Sequence, residues 1–279
     1  MLNDGATALR EFLTADLCLP REIGALRNAY RTARPFPHLV LDDLFRSPLL
    51  DRVVTEAPLM AANQWLNIEQ EGLERIVRMR SALEMGAASR ELVSLLHSPG
   101  FLYLLSEITD IWQLLPDPYL QGGGHALMRR DGYFKIHADR NVAYDTGLRR
   151  RLAMIVFLNR DWPSGYGGNL ELWNHAGTRC EAAIGPVFNR TVLFEVAWPN
   201  YHGVPQPLAC PPDRVRHSFI VYYHTAIGSD DRVSPHTSQF APQFYRRRPS
   251  RLRRIAGQLA PPIMLRALRS LLKHARSLA

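Results

Sequence analysis

The stretch Tyr133-Phe134-Lys135-Ile136-His137-Ala138-Asp139 sets an imidazole and a carboxylate one residue apart. In an extended segment alternate side chains share a face, so His137 and Asp139 are expected to point into one cavity. A second imidazole from a distant strand completes the two-histidine, one-carboxylate set that holds non-haem Fe(II) and leaves positions open for a chelating cosubstrate and O2. His202, in Trp198-Pro199-Asn200-Tyr201-His202-Gly203-Val204, follows an apolar strand ending near Val196 and is the candidate third ligand. Further along, Arg216 and Ser218 alternate on one face of RHSFIVYY. A guanidinium beside a hydroxyl suits the far carboxylate of a dicarboxylic acid, because arginine offers a planar donor fork. Taken alone, His-x-Asp is a weak signal. The competing readings are an ordinary hydrogen-bonded trio for the three ligands and a structural salt bridge for Arg216.

These side chains need a rigid frame. LAMIVFL (152–158), NLELW (169–173), TVLFEV (191–196) and RHSFIVYY (216–223) read as strands, separated by Gly165, Gly167-Gly168, Gly177 and Gly185-Pro186. Short strands at this spacing predict a β-sandwich or barrel. The first hundred residues read mainly as helices around one strand, PFPHLVL. Ser47-Pro48, Ser89 and Ser98-Pro99 are the expected helix starts. His217 is expected to face away from Arg216 and Ser218, and Asn159, Trp162, Trp173 and Asn189 are expected to serve the scaffold.

The ordered set is more specific than any member. His-x-Asp, Leu158-Asn159 with Trp162, the Gly-Gly turn into Leu170-Glu171-Leu172-Trp173, Pro186-x-Phe188-Asn189-Arg190, Tyr201-His202-Gly203 and Arg216-x-Ser218 together resemble the prolyl-4-hydroxylase-type Fe(II)/2-oxoglutarate dioxygenases over residues 120–225. The resemblance implies an α+β chain with a double-stranded β-helix (jelly-roll, cupin-like) core and supporting N-terminal helices. It implies Fe(II) on His137, Asp139 and His202, and 2-oxoglutarate on the metal with its distal carboxylate at Arg216 and Ser218. O2 is the oxidant, and ascorbate is a candidate reductant. Many such proteins carry a tyrosine just before the Leu-Asn pair, where this chain has Phe157; Tyr133 is the candidate substitute. The activity implied is hydroxylation of an unactivated C–H bond with release of succinate and CO2. The favoured substrate is a prolyl, amino-acid or peptidyl side chain. The alternatives are a sugar, lipid or natural-product intermediate, and a non-catalytic metal-binding jelly roll.

With 279 residues, 46% hydrophobic and 22% charged, the chain can bury a full core. It contains no run of eighteen apolar residues and no basic-then-apolar start, so neither a membrane span nor a secretory signal is expected. Three cysteines without CxxC spacing argue against a disulfide framework, and a cytoplasmic location is expected. The net charge of +8 comes from the tail: residues 233–279 hold ten basic residues and no acid, leaving residues 1–232 at −2. This disfavours nucleic acid as a partner of the folded core. The expected organisation is a helical support region (1–118), a catalytic core (119–228) and a basic proline-interrupted tail (229–279). Within the tail, residues 263–279 form an amphipathic helix suited to the core, a second subunit in a homo-oligomer, or a peripheral membrane surface.

Overall fold

The computed structural model describes residues 9, 11–14, 19–57, 62–228 and 233–244. The described residues fall within one compact unit, residues 1–244. The amphipathic helix expected at 263–279 lies outside the described residues. Among the described residues no helix is long and apolar enough to cross a membrane.

The apolar run near 152 becomes a central strand because both of its faces are covered. Strand β7 (Arg149–Phe157) sends Leu152, Met154 and Val156 into one hydrophobic cluster and Ala153, Ile155 and Phe157 into another. The paired strand β12 (Arg216–Thr225) is buried along its whole length and divides in the same way. A near-continuous apolar sequence is what burial on two sides demands.

Among the described residues thirteen strands form one antiparallel sheet. Besides β7 and β12 they are β1 (His38–Leu41), β2 (Trp65–Gln70), β3 (Glu74–Met79), β4 (Leu115–Pro116), β5 (Gly124–Met128), β6 (Tyr133–Ala138), β8 (Leu170–Trp173), β9 (Cys180–Ile184), β10 (Thr191–Glu195), β11 (His202–Val204) and β13 (Gln239–Phe240). The main path runs β1-β10-β7-β12-β5-β3-β6-β11-β8-β9. The sheet curls into the double-stranded β-helix type of core, with one hydrophobic cluster inside the curl and another beneath the helices. Strand β13 returns to β6, setting Phe240 opposite His137, so the chain beyond 228 is also part of the sheet.

The helices are α1 (Pro20–Thr32), α2 (Ser47–Glu56), α3 (Ala87–Leu96) and α4 (Pro99–Thr109). Ser98 caps α4 as expected, accepting from the Phe101 amide at 3.3 Å. Ser89 is not a cap. Helix α3 starts at Ala87, and the Glu56 carboxylate from the end of α2 accepts from the amides of Ala88 and Ser89. A carboxylate at a helix N-terminus satisfies free amides and complements the dipole. That contact also fixes α2 against α3. Ser47 likewise lies inside its helix rather than capping it, with Arg46 at the N-cap position. The hairpin β2–β3 replaces what the sequence suggested would be helix, and it carries Ile76 and Arg78 into the sheet.

Candidate metal centre

Strands β6 and β11 are neighbours, and His202 sits directly across from His137. His137 donates Nδ1–H to the Lys135 carbonyl at 2.8 Å, and His202 faces the Asn200 carbonyl through Nδ1 at 3.3 Å. Both Nε2 atoms are thereby aimed at Asp139, 3.6 Å from Oδ1 and Oδ2 respectively. These spans exceed a normal hydrogen bond. The three ligand atoms lie within 4.8 Å of one another, the one such cluster among the described residues. Asp139 is 9% exposed, and its Oδ2 is buried without a hydrogen-bond partner. A cation bonded to all three would satisfy that oxygen, so the donor set fits a divalent iron. Burial works against the Asp139 charge, but His202 and then His137 outweigh it and hold the carboxyl well below its ordinary range. Burial pushes His202 down to about 4 against the partial opposition of Asp139, so a neutral imidazole faces the carboxylate at neutral pH.

Arg216 lies in the same cavity, as do Ser218, Ile220 and Tyr222 from alternate positions of β12. Its Nε donates to the Gly168 carbonyl at 2.7 Å, and its guanidinium lies 4.9 Å from the centre of the Phe157 ring. Among the described residues no carboxylate pairs with it. Burial lowers its pKa to about 10, which leaves it cationic at neutral pH. A buried cation without a counter-ion is matched to an anionic ligand. Gly168 makes the approach possible: φ is +82°, and a Cβ there would stand 2.9 Å from the Arg216 Cδ. The Ser218 hydroxyl donates to the Ala126 carbonyl at 3.5 Å.

Tyr133 does not reach this cavity. Strict alternation would put it on the His137 face, but β6 carries an irregularity: three steps from Phe134 to His137 oppose two from Val204 to His202. The surplus residue makes a β-bulge that reverses the facing of everything before it. Phe134 therefore stacks on His137 at 3.8 Å, and the Tyr133 hydroxyl accepts from the Gly72 amide instead. Arg78, Phe134, Phe194 and Tyr222 line the cavity without having been singled out from sequence. Tyr222 was within reach of the alternation that grouped Arg216 with Ser218. Asn159 and Asn189 serve the scaffold, bonding the backbone of His217 and Phe45 respectively.

His217 faces away, as alternation requires, into a buried chain of polar groups. The Ser89 hydroxyl donates to Glu56 at 2.7 Å, its oxygen meets His125 Nε2 at 2.9 Å, and His125 Nδ1 meets His217 Nε2 at 2.8 Å. With the serine proton committed to the carboxylate, the only consistent direction has each histidine neutral and donating toward Glu56. Burial pushes His125 down to about 4 and His217 well below its ordinary value. Depressed imidazole pKa values make the unfolded chain the better proton binder in acid. The associated stability is whole above pH 6.5 and is lost as pH falls toward 4, on the order of 3 kcal/mol from His125 alone. The urea midpoint is expected to fall steeply across that window. His125→Gln is expected to be less stable at pH 8 and to show a flatter decline; an equally steep decline would remove His125 as the cause.

Residues 124–224 match the family model described as the 2OG-Fe(II) oxygenase superfamily. No curated protein matches the chain. Among solved structures, a Pseudomonas putida prolyl-4-hydroxylase is similar at 17% identity, covering 74% of this chain and 100% of its own, with a TM-score of 0.51. A Trichoplax adhaerens prolyl hydroxylase, solved with a hypoxia inducible factor oxygen degradation domain peptide fragment, is similar at 18% identity, covering 73% and 89%, with a TM-score of 0.53. HygX from Streptomyces hygroscopicus, solved with nickel and 2-oxoglutarate, is similar at 11% identity, covering 82% and 100%, with a TM-score of 0.52. At these identities the structures establish the shared fold.

Proposed function

We propose, from the match of residues 124–224 to the 2OG-Fe(II) oxygenase superfamily model, that this chain hydroxylates an unactivated C–H bond of a prolyl or other amino-acid side chain. His137, Asp139 and His202 are the iron ligands in this reading. Arg216, assisted by Ser218, holds the far carboxylate of 2-oxoglutarate. The observation that carries it is the sharing of one cavity by a buried two-histidine, one-carboxylate cluster and a buried arginine without a carboxylate partner among the described residues.

Iron and 2-oxoglutarate bound together supply O2 activation, coupled to loss of CO2, formation of succinate and oxygen insertion into a C–H bond. The chain provides the conditions. His137 and His202 have their Nδ1 atoms engaged by main-chain carbonyls, which fixes the ring orientations before any metal arrives. Asp139 stays ionised and supplies the single negative charge of the set. Ile155, Phe194, Leu170 and Ile220 wall the cavity with apolar surface. In that low-dielectric setting the Arg216 charge acts at greater strength than in water.

The substrate class rests on the prolyl hydroxylases among the similar folds, one of them solved with a peptide. The test is succinate release by the Fe(II)-loaded chain, alone and with proline-containing peptides, free proline or amino sugars. Stimulation by the peptides supports the reading. Stimulation by amino sugars alone moves the substrate to small molecules. Metal binding with neither 2-oxoglutarate binding nor turnover identifies a non-catalytic scaffold.

A further inference from the structure

Three arginines, two from strands and one from the loop after β6, converge on one turn beside the cavity. Arg78 of β3 donates Nη1–H to the Gly122 carbonyl. Arg150 of β7 donates Nη2–H to the Gln121 carbonyl at 2.8 Å. Arg140, next to Asp139, donates to the Gln121 side-chain oxygen at 3.4 Å. Tyr222, which lines the cavity, carries the Arg150 guanidinium 3.6 Å from its ring centre. Arg78 lines the cavity itself.

Among the described residues this concentration of positive charge is answered only in part, by the attraction of Asp139 for Arg140 and Arg150. No carboxylate among the described residues forms an ion pair with Arg78, Arg140 or Arg150. The acids around the turn are engaged elsewhere. Asp117 accepts from the Tyr119 and Gln121 amides, and Asp145 accepts from the Gln121 side-chain amide. Asp139 belongs to the metal set. The Nε atoms of Arg140 and Arg150 are both buried with no hydrogen-bond partner. Like charges gathered in a poorly solvated place, with donors left over, call for a polyanionic partner.

We propose that the substrate carries a phosphate monoester, seated among Arg78, Arg140 and Arg150 while the carbon to be oxidised lies on the Asp139 side of the metal cluster. This deepens the function proposed above and rests on it. A phosphate monoester brings nearly two negative charges and three terminal oxygens to three donor forks. A single carboxylate brings one charge and two oxygens. Arg216 is the 2-oxoglutarate clamp and comes from a different strand, so both anions have their own cations.

Calorimetric titration of phenyl phosphate, with benzoate and phenol as controls, into the full-length chain loaded with Mn(II) and 2-oxoglutarate tests the proposal. Phenyl phosphate is expected to bind at least about tenfold more tightly than benzoate. Arg150→Gln is expected to weaken it about tenfold further, and Arg78→Gln, at a half-buried position that is less critical for folding, to do the same. Unchanged affinity in both variants, as for phosphate held by the metal or by the basic tail, overturns the proposal. So does equal binding of phenyl phosphate and benzoate. A chain that binds 2-oxoglutarate without favouring phosphate sinks this inference alone, whereas one that does not bind 2-oxoglutarate sinks the function proposed above with it.

Discussion

Asp139→Ala abolishes iron-dependent release of succinate, a loss of at least about 100-fold, since even outer partners of metal ligands account for 10–100-fold. The size of the effect follows from the charge of the set. His202 is a neutral imidazole at neutral pH, so Asp139 alone partly neutralises a divalent cation in a nearly closed space. Its Oδ2 has no hydrogen-bond partner, and His137 and His202 are held by main-chain carbonyls, so removing the side chain leaves the backbone bonding of the site in place. The variant is therefore expected to fold, to keep its near-ultraviolet dichroism and to bind Fe(II) far more weakly by competition with a chelator. Asp139→Glu has the charge but pushes the oxygens one methylene further into the cavity, and is expected to retain more metal than turnover. If Asp139→Ala kept activity within tenfold of the parent, the carboxylate would not be a ligand.

Arg216→Ala raises the dissociation constant for 2-oxoglutarate by at least about 100-fold, the scale on which a buried charge partner is missed. Arg216→Lys recovers only part of this, because an ammonium cannot offer two parallel donors and cannot also bond the Gly168 carbonyl along the same edge. Gly168→Ala is expected to resemble a partial loss of Arg216. The added methyl sits within 2.9 Å of the arginine Cδ, at a φ of +82° that non-glycine residues resist. Titration of 2-oxoglutarate against the three variants, with metal affinity measured alongside, separates the clamp from the metal site. Equal affinity for 2-oxoglutarate in Arg216→Ala and the parent would remove the clamp from the proposed function.

Chemistry close in sequence, or repeated along one strand, was the legible part. His137 and Asp139 share a face through alternation, and Arg216 and Ser218 do the same on β12. The strands around 152, 170, 191 and 216 announced themselves by apolar runs bounded by glycine. The hairpin β2–β3 was hidden because WLNIEQ and ERIVRM are charged and only half covered, and their turn around Gly72 lacks a strong hairpin signature. Its placement beside β5 and β6 is a long-range pairing, and Arg78 came with it. Ser89 misled for a related reason: the group that caps α3 belongs to Glu56, more than thirty residues earlier. Tyr133, the candidate substitute for the tyrosine absent at Phe157, is turned away from the cavity by the bulge in β6, which no local sequence feature announces.

The irregularity in β6 gives the strand before the metal set one residue more than its pairing needs. Deleting one residue between Phe134 and His137 would remove the bulge and restore even pairing, leaving the two side chains two steps apart and still on one face, opposite Val204 and His202. Insertions in the loops on either side of β6 likewise leave the facing of those two residues intact. Descendants of this chain can thus vary the rim of the cavity in length and can also lose the surplus residue between 134 and 137 while keeping the His137 imidazole on its face.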